Sequence, residues 1–500
     1  MRPVPARARK QPSGAAGASL LILVASLATA ACGLGMLLAA LIGLAADGRQ
    51  LLSLLLPGGL ALAAGVAGLR LAPRPGNEAI RPVAGLGSVT LAWSLAAALG
   101  ALPLIISGVL SSPLDAYFEA MSGFSTTGST LIDDIDAAPD AILAWRSIMQ
   151  WLGGVGIVVL IVAIAPTLAP GLQRYFYAEA SGIGDSRLTP RIADTAKIVG
   201  GIYLGLSAAA GIAYLLAGMG AFDAINQAMT TLATGGFSTH TASFAAFDSA
   251  AIEIVAIVFM VAAAINFAFY WRVIKGGSLM PQLAEVRVYL MILVVASAAI
   301  CFSLLRGNDV EGFGEALRAA TFTVTSLSST TGFTTLDFDE WGGFAEVVLV
   351  LLMVIGGCAG STAGGVKVIR VSLIGKSVGQ EMQRQTEPRV VTVLRMGGRV
   401  FNENVRGAVL AFFTIYVLIF ALGVIVFTAS GLGEVSAIGG VAATLNGVGP
   451  GLGEVGGLEN FSALADGGLV MAIFLMLAGR LEIFTVVALI VAGARALRGR

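Results

Sequence analysis

Charged side chains are sparse in this sequence: Asp, Glu, Lys and Arg make up 12% of 500 residues, and the two signs balance at 30 each. A dilute and balanced charge excludes the strongly basic surface that nucleic-acid binding needs. The three cysteines, Cys32, Cys301 and Cys358, lack metal-ligand spacing and stand in apolar or glycine-rich surroundings, so we expect free thiols. No paired carboxylates and no nucleophile with a neighbouring base are recognisable, so the sequence predicts that the protein is not an enzyme.

Apolar residues, in contrast, make up 57% of the chain, and their runs repeatedly reach the roughly 20 residues that cross a bilayer. The sequence therefore predicts a polytopic protein of the lipid bilayer. The first apolar run follows Arg2, Arg7 and Arg9, like a signal peptide, and Cys32 stands where a lipoprotein would be cleaved. Because the run continues unbroken to Ala46, which is too long for a signal peptide, we predict a retained membrane helix.

A short polar segment with a glycine recurs four times between long apolar runs. The copies are STTGST at 125–130, ATGGFST at 233–239, SSTTGFTT at 328–335 and the looser LNGVGPG at 445–451. Each follows a half-apolar stretch that is too short to cross a bilayer. The pattern predicts four copies of helix, half-length helix, loop and helix.

We therefore predict an all-α polytopic membrane protein with four pseudo-symmetric helix–pore loop–helix repeats around a central pore, plus an N-terminal helix pair. The predicted divisions are 1–72 for the helix pair and 80–170, 188–276, 282–378 and 400–500 for the repeats. The predicted long helices are 83–107 with 141–168, 192–217 with 250–274, 286–305 with 344–378, and 405–429 with 468–497. The predicted half-length helices are 116–122, 221–232, 314–326 and 435–444.

The charge distribution predicts the orientation of the resulting ten spans. With the N-terminus in the cytoplasm, Arg and Lys fall mainly on the cytoplasmic side, at 70–81, 174–191, 272–275, 384–399 and 495–500. Acidic residues collect beyond the loops, at 133–140, 248, 337–340 and 454–466, where they would concentrate cations. Both termini are accordingly predicted to be cytoplasmic.

Four non-helical segments at membrane depth predict a central pore, because such backbone survives only when it is buried in protein or lines a watery cavity. Rings of carbonyl oxygens from Thr/Gly loops replace the water shell of a potassium ion in channels, and glycine permits the backbone conformation required. Close helix packing would explain one such glycine, but not four copies that each follow a half-length helix. The predicted ion-binding residues are Thr126, Thr127, Gly128, Thr234, Gly235, Gly236, Thr330, Thr331, Gly332, Asn446, Gly447, Val448 and Gly449.

Two further features lie within the apolar spans. The glycine-rich run 356–365 interrupts the predicted helix 344–378, since each glycine costs about 1 kcal/mol of helix stability relative to alanine. The run is either a kink or a flexible loop that obstructs the cavity. Arg480 is either a partner in a structural ion pair or a fixed charge that sets a barrier to cations. The candidate gating residues are Gly356, Gly357, Gly360, Ser361, Thr362, Gly364, Gly365 and Arg480.

Four other ionisable residues have weaker patterns. His240 follows the second loop, where a lone histidine is more often incidental than a pH sensor. Glu119 is expected to brace the adjoining loop and not to bind an ion. Lys367 is expected to extend toward the cytoplasm. Glu482, two residues from Arg480, cannot share its face on a continuous helix.

Six motifs occur in order along the chain: FEAMSGFSTTG at 118–128, QWLGGVG at 150–156, LTPRIA at 188–193, TGGFSTH at 234–240, GGCAGSTAGG at 356–365 and NGVGPGLGE at 446–454. With these motifs the chain resembles the Trk/Ktr/HKT potassium transporters over about residues 15–500, and most closely the bacterial Trk branch, which carries an extra N-terminal helix pair.

The resemblance implies potassium uptake across the bacterial inner membrane, with potassium bound at the loop residues named above. It implies that a serine at the first filter glycine favours sodium, so Gly128 indicates potassium. The fourth loop departs from the threonine pattern, which puts strict fourfold symmetry of the ion sites in question. The resemblance also favours an obstructing loop at 356–365 and a fixed pore charge at Arg480.

The resemblance further implies partners: a homodimer, and a ring of cytosolic regulatory subunits that bind nucleotide and dock near the basic segment 384–399. This chain has no phosphate-binding loop after a strand, so no nucleotide is expected to bind to it. Three other functions compete with a gated potassium pore: a sodium-permeable or cation-coupled symporter of the same superfamily, a small-solute secondary transporter, and a membrane scaffold without transport.

Overall fold

The computed structural model of the chain describes residues 14–72, 82–164, 192–307, 310, 312–390, 393–401 and 403–497. The N-terminal arginines, the first four residues of the LTPRIA motif and the predicted cytoplasmic arginines at 74, 81, 174, 187, 191, 498 and 500 lie outside these residues. The chain begins with two helices, α1 (Gly14–Ala45) and α2 (Leu52–Leu71). They pack closely through glycine: a Cβ atom on Gly33 would meet the backbone of Leu62, and one on Gly65 would meet that of Ala30. Small residues of this kind let membrane helices approach each other.

The remaining helices follow the predicted fourfold order. They are α3 (Pro82–Ile106), α4 (Pro113–Ser125) and α5 (Asp140–Ile164); α6 (Ile192–Leu216), α7 (Ala221–Ala233), α8 (Ala250–Ala264) and α9 (Phe267–Lys275); α10 (Met280–Gly307), α11 (Phe313–Ser328), α12 (Gly343–Ile355) and α13 (Val368–Thr386); and α14 (Glu403–Ala429), α15 (Glu434–Asn446), α16 (Asp466–Arg480) and α17 (Ile483–Leu497). Short 3-10 helices lie at Ser243–Phe247, Phe338–Trp341, Gly453–Val455 and Phe461–Ala463. The predicted all-α, four-repeat architecture is confirmed.

Within the described residues, six helices are long and apolar enough to cross a membrane, and a seventh span results if α8 and α9 are taken together. The six are α1, α2, α3, α6, α10 and α14. Helix α12 is apolar but short, since it ends at Ile355. The chain is therefore a multi-pass membrane protein in which several of the ten predicted spans are broken helices.

The predicted helix 250–274 is wrong as a continuous element, because α8 and α9 meet at an angle of 90°. Asn266 caps α9, with its side-chain oxygen accepting a hydrogen bond from the backbone N–H of Ala268 at 2.8 Å. The backbone at the break bonds to the third repeat: Ala264 O accepts from Cys358 N at 3.0 Å, and Phe267 N donates to Gly360 O at 3.1 Å. A tertiary contact thus satisfies the backbone groups that the break releases.

The last predicted helix, 468–497, is also wrong as a continuous element. It stops at Arg480, and Glu482 takes the left-handed conformation with φ +60° before α17 begins. The Glu482 carboxylate accepts a hydrogen bond from Nη2 of Arg370 at 2.6 Å. Hydropathy alone does not reveal this break, because Arg370, the partner of Glu482, lies on another helix. The third repeat is interrupted too, between Ile355 and Val368.

The sequence did not predict the β-hairpin formed by β1 (Leu394–Met396) and β2 (Arg399–Phe401), which pair antiparallel with Leu394 opposite Phe401. Leu394 and Met396 are buried in a cluster that also contains Ala359 of the interrupted segment and Leu373 of α13. Three-residue strands are too short for a clear alternating pattern, which explains why the sequence did not reveal them.

The close packing of α1 on α2 leads to a stability prediction. Gly65→Val should lower the thermal unfolding midpoint in detergent, since the added side chain meets the backbone of Ala30 and overpacking typically costs about 1–3 kcal/mol. The matched control is Gly59→Val on the same helix, where a Cβ atom meets nothing within 4 Å. Equal midpoints for the two variants would show that α1 and α2 do not pack as described.

Candidate functional site

The half-length helices α4, α7, α11 and α15 are each followed by one residue in the left-handed conformation. These residues are Thr126 at φ 55°, Thr234 at φ 51°, Thr330 at φ 58° and Gly447 at φ 65°. Each stands two positions before one of the four recurring glycines. The same backbone turn therefore ends all four short helices, including the one whose sequence departs from the threonine pattern.

The four recurring glycines contact one another's loops in a closed cycle. All have positive φ: 96° at Gly128, 80° at Gly236, 83° at Gly332 and 105° at Gly449. A Cβ atom on each would meet the carbonyl oxygen that precedes the glycine of the next loop; these oxygens belong, in the same order, to Gly235, Thr331, Val448 and Thr127. We call these segments, 126–128, 234–236, 330–332 and 447–449, the four-loop ring. Glycine is required here both by the backbone conformation and by the close approach.

Side chains brace the ring from outside. The hydroxyls of Ser125 and Thr127 lie 2.7 Å apart, and those of Ser329 and Thr331 repeat the contact at 2.8 Å. Ser129 donates to the Gly449 carbonyl at 2.8 Å and so joins the first loop to the fourth. The first and third loops are thus held alike, and the fourth lacks the corresponding hydroxyl.

Gln150 braces the second loop from α5. Its Nε2 donates to the Gly235 carbonyl at 2.6 Å, and its Oε1 accepts from the backbone N–H of Phe237 at 3.0 Å. The side chain is fully buried. In the sequence Gln150 stands out only as part of the QWLGGVG motif, although an amide in an apolar span indicates a specific partner.

A buried ion pair links the first two loops. Nε of Arg146 lies 2.9 Å from Oε1 of Glu119, and both side chains are almost fully buried. Arg146 also donates to the Ser238 carbonyl at 3.2 Å and to the Thr130 hydroxyl at 3.2 Å. Glu119 accepts from Thr130 and from the backbone N–H of Leu131, both at 3.0 Å. Glu119 therefore braces the loop, as expected. Arg146 was not among the predicted residues, although a charge inside an apolar run indicates such a role.

Small cavities lie on the two sides of the ring. The first, of about 80 Å³, is bordered by Gly128, Gly236, Gly332 and Gly449 and also by Asp133 and Glu459. The second, of about 50 Å³, is bordered by Ser125, Asn446 and Gly447, together with residues of the segment between α12 and α13. Both have room for water or a small ion. The ring thus separates two small polar cavities.

The segment 356–367, which we call the central loop, lies directly against the ends of three half-length helices. Gly364 N donates to the Thr330 hydroxyl at 2.7 Å, and Gly365 N donates to the Asn446 carbonyl at 3.1 Å. The Thr362 hydroxyl lies 3.0 Å from the Leu232 carbonyl. The central loop therefore borders the second cavity immediately beside the ring.

Glycines set the path of the central loop. Gly356, Gly360 and Gly365 have φ of 69°, 75° and 77°, and Gly356 and Gly365 touch each other where the loop closes. Gly357 packs on Ala363, and the Ser361 hydroxyl donates to the Cys358 carbonyl at 2.6 Å. The loop is thus compact and held by its own contacts.

Arg480 connects the central loop to the first repeat. Its Nη1 donates to the Thr362 carbonyl at 3.0 Å and its Nη2 to the Gly153 carbonyl at 2.9 Å. Among the described residues no carboxylate forms an ion pair with Arg480. Its guanidinium borders the second cavity, together with Arg370 and Glu482.

Lys367 does not extend toward the cytoplasm, as the sequence analysis expected. Its Nζ donates instead to the carbonyl of Ala363 inside the central loop, and the residue borders the second cavity. The snorkelling expectation was wrong because carbonyls of the tightly turned loop supply a nearer partner than water.

His240 lies between two carboxylates on the opposite side of the ring. Its Nδ1 is 2.6 Å from Asp136 Oδ1 and its Nε2 is 3.6 Å from Asp223 Oδ1. The carboxylates of Asp223 and Asp136 raise the pKa of His240 to about 9, against the opposing effect of burial. Asp136 follows the first loop and Asp223 begins α7, so the charged imidazole joins two repeats.

Taken together, these features define a multi-pass membrane protein of four repeats, with four glycine loops meeting at one ring between two polar cavities. The chain belongs to the TrkH family, described as a cation transport protein, whose family model matches residues 67–493. The chain is 41% identical over 408 residues to the Trk system potassium uptake protein TrkH of Vibrio parahaemolyticus, covering 80% of this chain and 84% of the relative. It is 41% identical over 436 residues to that of Halomonas elongata, covering 86% of this chain and 90% of the relative.

A solved structure agrees with the fold. The crystal structure of the potassium transporter TrkH from Vibrio parahaemolyticus matches with a TM-score of 0.85 at 38% identity. The match covers 94% of this chain and 98% of that chain.

The His240 contacts predict a pH dependence. Because its folded pKa of about 9 exceeds the ordinary 6.5, the stabilising contribution is fully present below pH 6.5 and is lost as the pH rises through 9. The thermal midpoint of the protein in detergent should fall by a few degrees more between pH 7.5 and pH 10 than that of the His240→Gln variant, which cannot titrate there. Parallel curves for the two proteins would contradict the assignment.

Proposed function

We propose that this chain takes up potassium across the bacterial inner membrane, through a pore in which the four-loop ring is the selectivity filter. The observation that supports this most strongly is the closed cycle in which each of Gly128, Gly236, Gly332 and Gly449 lies against the carbonyl that precedes the next glycine. Proximity along the chain does not explain this cycle, because the four segments belong to four different repeats. The names of the relatives, Trk system potassium uptake proteins, support potassium as the transported ion.

Potassium would be held by oxygen atoms of the ring. Carbonyl oxygens from four loops can replace the ion's water shell, and the hydroxyls of Thr126, Thr234 and Thr330 stand at equivalent positions in three loops. The fourth loop has Gly447 there and contributes no hydroxyl. The C-terminal ends of the four half-length helices add negative partial charge next to the second cavity. All four loops would therefore contribute backbone carbonyls to the proposed ion sites, and three of them would also contribute a threonine hydroxyl.

The approach to the ring carries acidic residues. Asp133 and Glu459 border the first cavity, and Asp136 lies beside His240. Their negative potential would raise the local cation concentration. This side would face the outside, with both termini in the cytoplasm, and the repeats would divide as proposed above at 80–170, 188–276, 282–378 and 400–500.

The central loop and Arg480 would form the gate. Contacts of Gly364 and Gly365 with Thr330 and Asn446 support a position of the central loop across the exit of the ring. The guanidinium of Arg480, held by the Thr362 carbonyl, adds a positive charge at the same place. In this conformation a cation leaving the ring would meet both a backbone obstruction and electrostatic repulsion.

Opening would require a partner. The names of the relatives refer to a Trk system, which supports more than one component. We propose a homodimer of this chain and a cytosolic regulatory subunit that binds nucleotide and docks on the basic segment 384–399, where Arg389 and Arg395 are exposed. The chain itself would bind potassium and no nucleotide.

Replacing the first ring glycine tests the filter. In Gly128→Ser the Cβ atom meets the Gly235 carbonyl, so the sodium-to-rubidium flux ratio in proteoliposomes should rise by about tenfold, as potassium coordination loosens. The matched control is Gly431→Ser, because Gly431 has a comparable φ of 109° and open space around its Cβ position. A Gly128→Ser protein that is folded and has the ratio of the control would contradict the filter.

Replacing Arg480 tests the electrostatic barrier. Arg480→Gln should raise rubidium flux per folded molecule by about tenfold or more, because a fixed charge near the ion path adds at least about 1.4 kcal/mol to the barrier. Arg272→Gln is the control, since Arg272 also donates to a carbonyl, that of Ser278, but at the surface. If Arg480→Gln instead lost stability and left flux per folded molecule unchanged, Arg480 would have a structural role only.

A further inference from the structure

Glu285 is a buried carboxylate that the proposed pore does not use. It is the sole Asp or Glu of α10 and is 5% exposed. It does not border the second cavity among the described residues, whereas Lys367 and Ile369 do. Burying a carboxylate is expensive unless hydrogen bonds and charges compensate for the lost water. Its contacts therefore indicate why it is present.

Those contacts all lead to the central loop. Glu285 Oε1 accepts a hydrogen bond from the backbone N–H of Ala359 at 2.7 Å. The carboxylate also lies near the ammonium of Lys367. Ala359 lies in the first limb of the central loop, and Lys367 lies at the end of the loop, just before α13. The Glu285 carboxylate thus binds one limb and attracts the other.

The start of α13 has no side-chain cap of its own. The N-cap residue of α13 is Lys367, whose side chain makes no capping hydrogen bond. A carboxylate at a helix N-terminus satisfies free N–H groups and interacts favourably with the helix dipole. The Glu285 carboxylate lies close to this N-terminus, because it binds Ala359, and Gly357, two residues before Ala359, accepts a hydrogen bond from Val368 N at 3.0 Å.

The rest of the loop has attachments of a different kind. Its neck is closed by backbone bonds from Val366 N and Lys367 N to Val354 O and Ile355 O, both at 2.9 Å. These bonds join the loop to the end of α12, and further backbone bonds join it to Ala264, Phe267 and Asn446 of other repeats. The bond from Glu285 to Ala359, by contrast, fastens the loop to a long helix that crosses the membrane.

The face of α10 around Glu285 is polar although buried. Gln282, one turn earlier, is 3% exposed, and neither atom of its amide has a hydrogen-bond partner among the described residues. A buried unpaired amide is destabilising, so this face is not optimised for packing alone. If the loop moved away, water could hydrate this polar face.

We propose that Glu285 is a positioning residue that holds the central loop in its obstructing conformation by fastening the backbone of Ala359 to α10. This inference rests on the proposed function of the central loop as a gate. Breaking this contact would lower the free energy needed to displace the loop, and basal conduction would rise without any partner subunit.

The test compares Glu285→Gln with the parent chain by two measurements. Glutamine keeps the shape but removes the negative charge, which weakens the hydrogen bond from the Ala359 N–H and the attraction to Lys367. Amide hydrogen exchange of peptides covering 356–367 should become about tenfold faster, while peptides of α1 and α2 stay unchanged. Rubidium uptake into proteoliposomes without a partner should rise by about tenfold.

Three further variants serve as controls. Glu381→Gln removes an exposed carboxylate of α13 and should change neither measurement. Deletion of part of 356–365 is the positive control for conduction. Glu285→Asp keeps the charge one methylene shorter and should give intermediate values; it decides the question if Glu285→Gln fails to fold.

The outcomes separate the two hypotheses. Parent-like exchange in Glu285→Gln and Glu285→Asp would overturn the role of Glu285, whatever the flux. Parent-like flux with faster exchange would also overturn it, provided that the loop deletion conducts. If the loop deletion itself conducts no better than the parent, the central loop is not the gate, and the inference about gating fails with it.

Discussion

The structure depends on the need to satisfy backbone polar groups where helices are interrupted inside an apolar protein. In a bilayer no water is available for this, so each break must find its partners in the protein. The breaks do so reciprocally: Ala264 and Phe267 of the second repeat bond to Cys358 and Gly360 of the third. The third in turn bonds through Gly365 to Asn446 of the fourth. The interruptions of the second and third repeats therefore stabilise each other, and the central loop is bonded directly to the end of α15 beside the ring.

Buried charges follow the same logic around this unit. Arg146 and Glu119 join the first two loops, Arg370 and Glu482 join α13 to the break in the last repeat, and Arg480 donates to two carbonyls. Removing one partner of a buried pair leaves an uncompensated charge, which costs about 3–5 kcal/mol. These contacts link repeats that are far apart in sequence, and they hold irregular backbone in one arrangement around the cation pathway that we propose.

Much of the fold and part of the candidate site could be predicted from the sequence. Apolar runs predicted the long helices, and the recurring glycines predicted four equivalent loops because a positive φ and a close approach both demand glycine. The breaks after Ala264 and Arg480 were not predicted, because Asn266 and Glu482 are single polar residues in otherwise apolar runs and the contacts that stabilise the breaks come from another repeat. Arg146, Gln150 and Glu285 were missed because a single polar residue in an apolar run indicates that a partner exists without identifying it.

The sequence by itself determined the class of the protein, the order of its helices and the positions where only glycine fits, because hydropathy and backbone conformation are local properties. Only the tertiary structure decided which loop lies against which. It placed Gly128 beside Gly235, Thr362 under Arg480 and Ala359 against Glu285. The first two pairs join different repeats, and the third joins two distant segments of the third repeat, so the partners are chosen by tertiary packing. A contact between distant segments has no local sequence pattern, which is why the ring and its central loop required the fold.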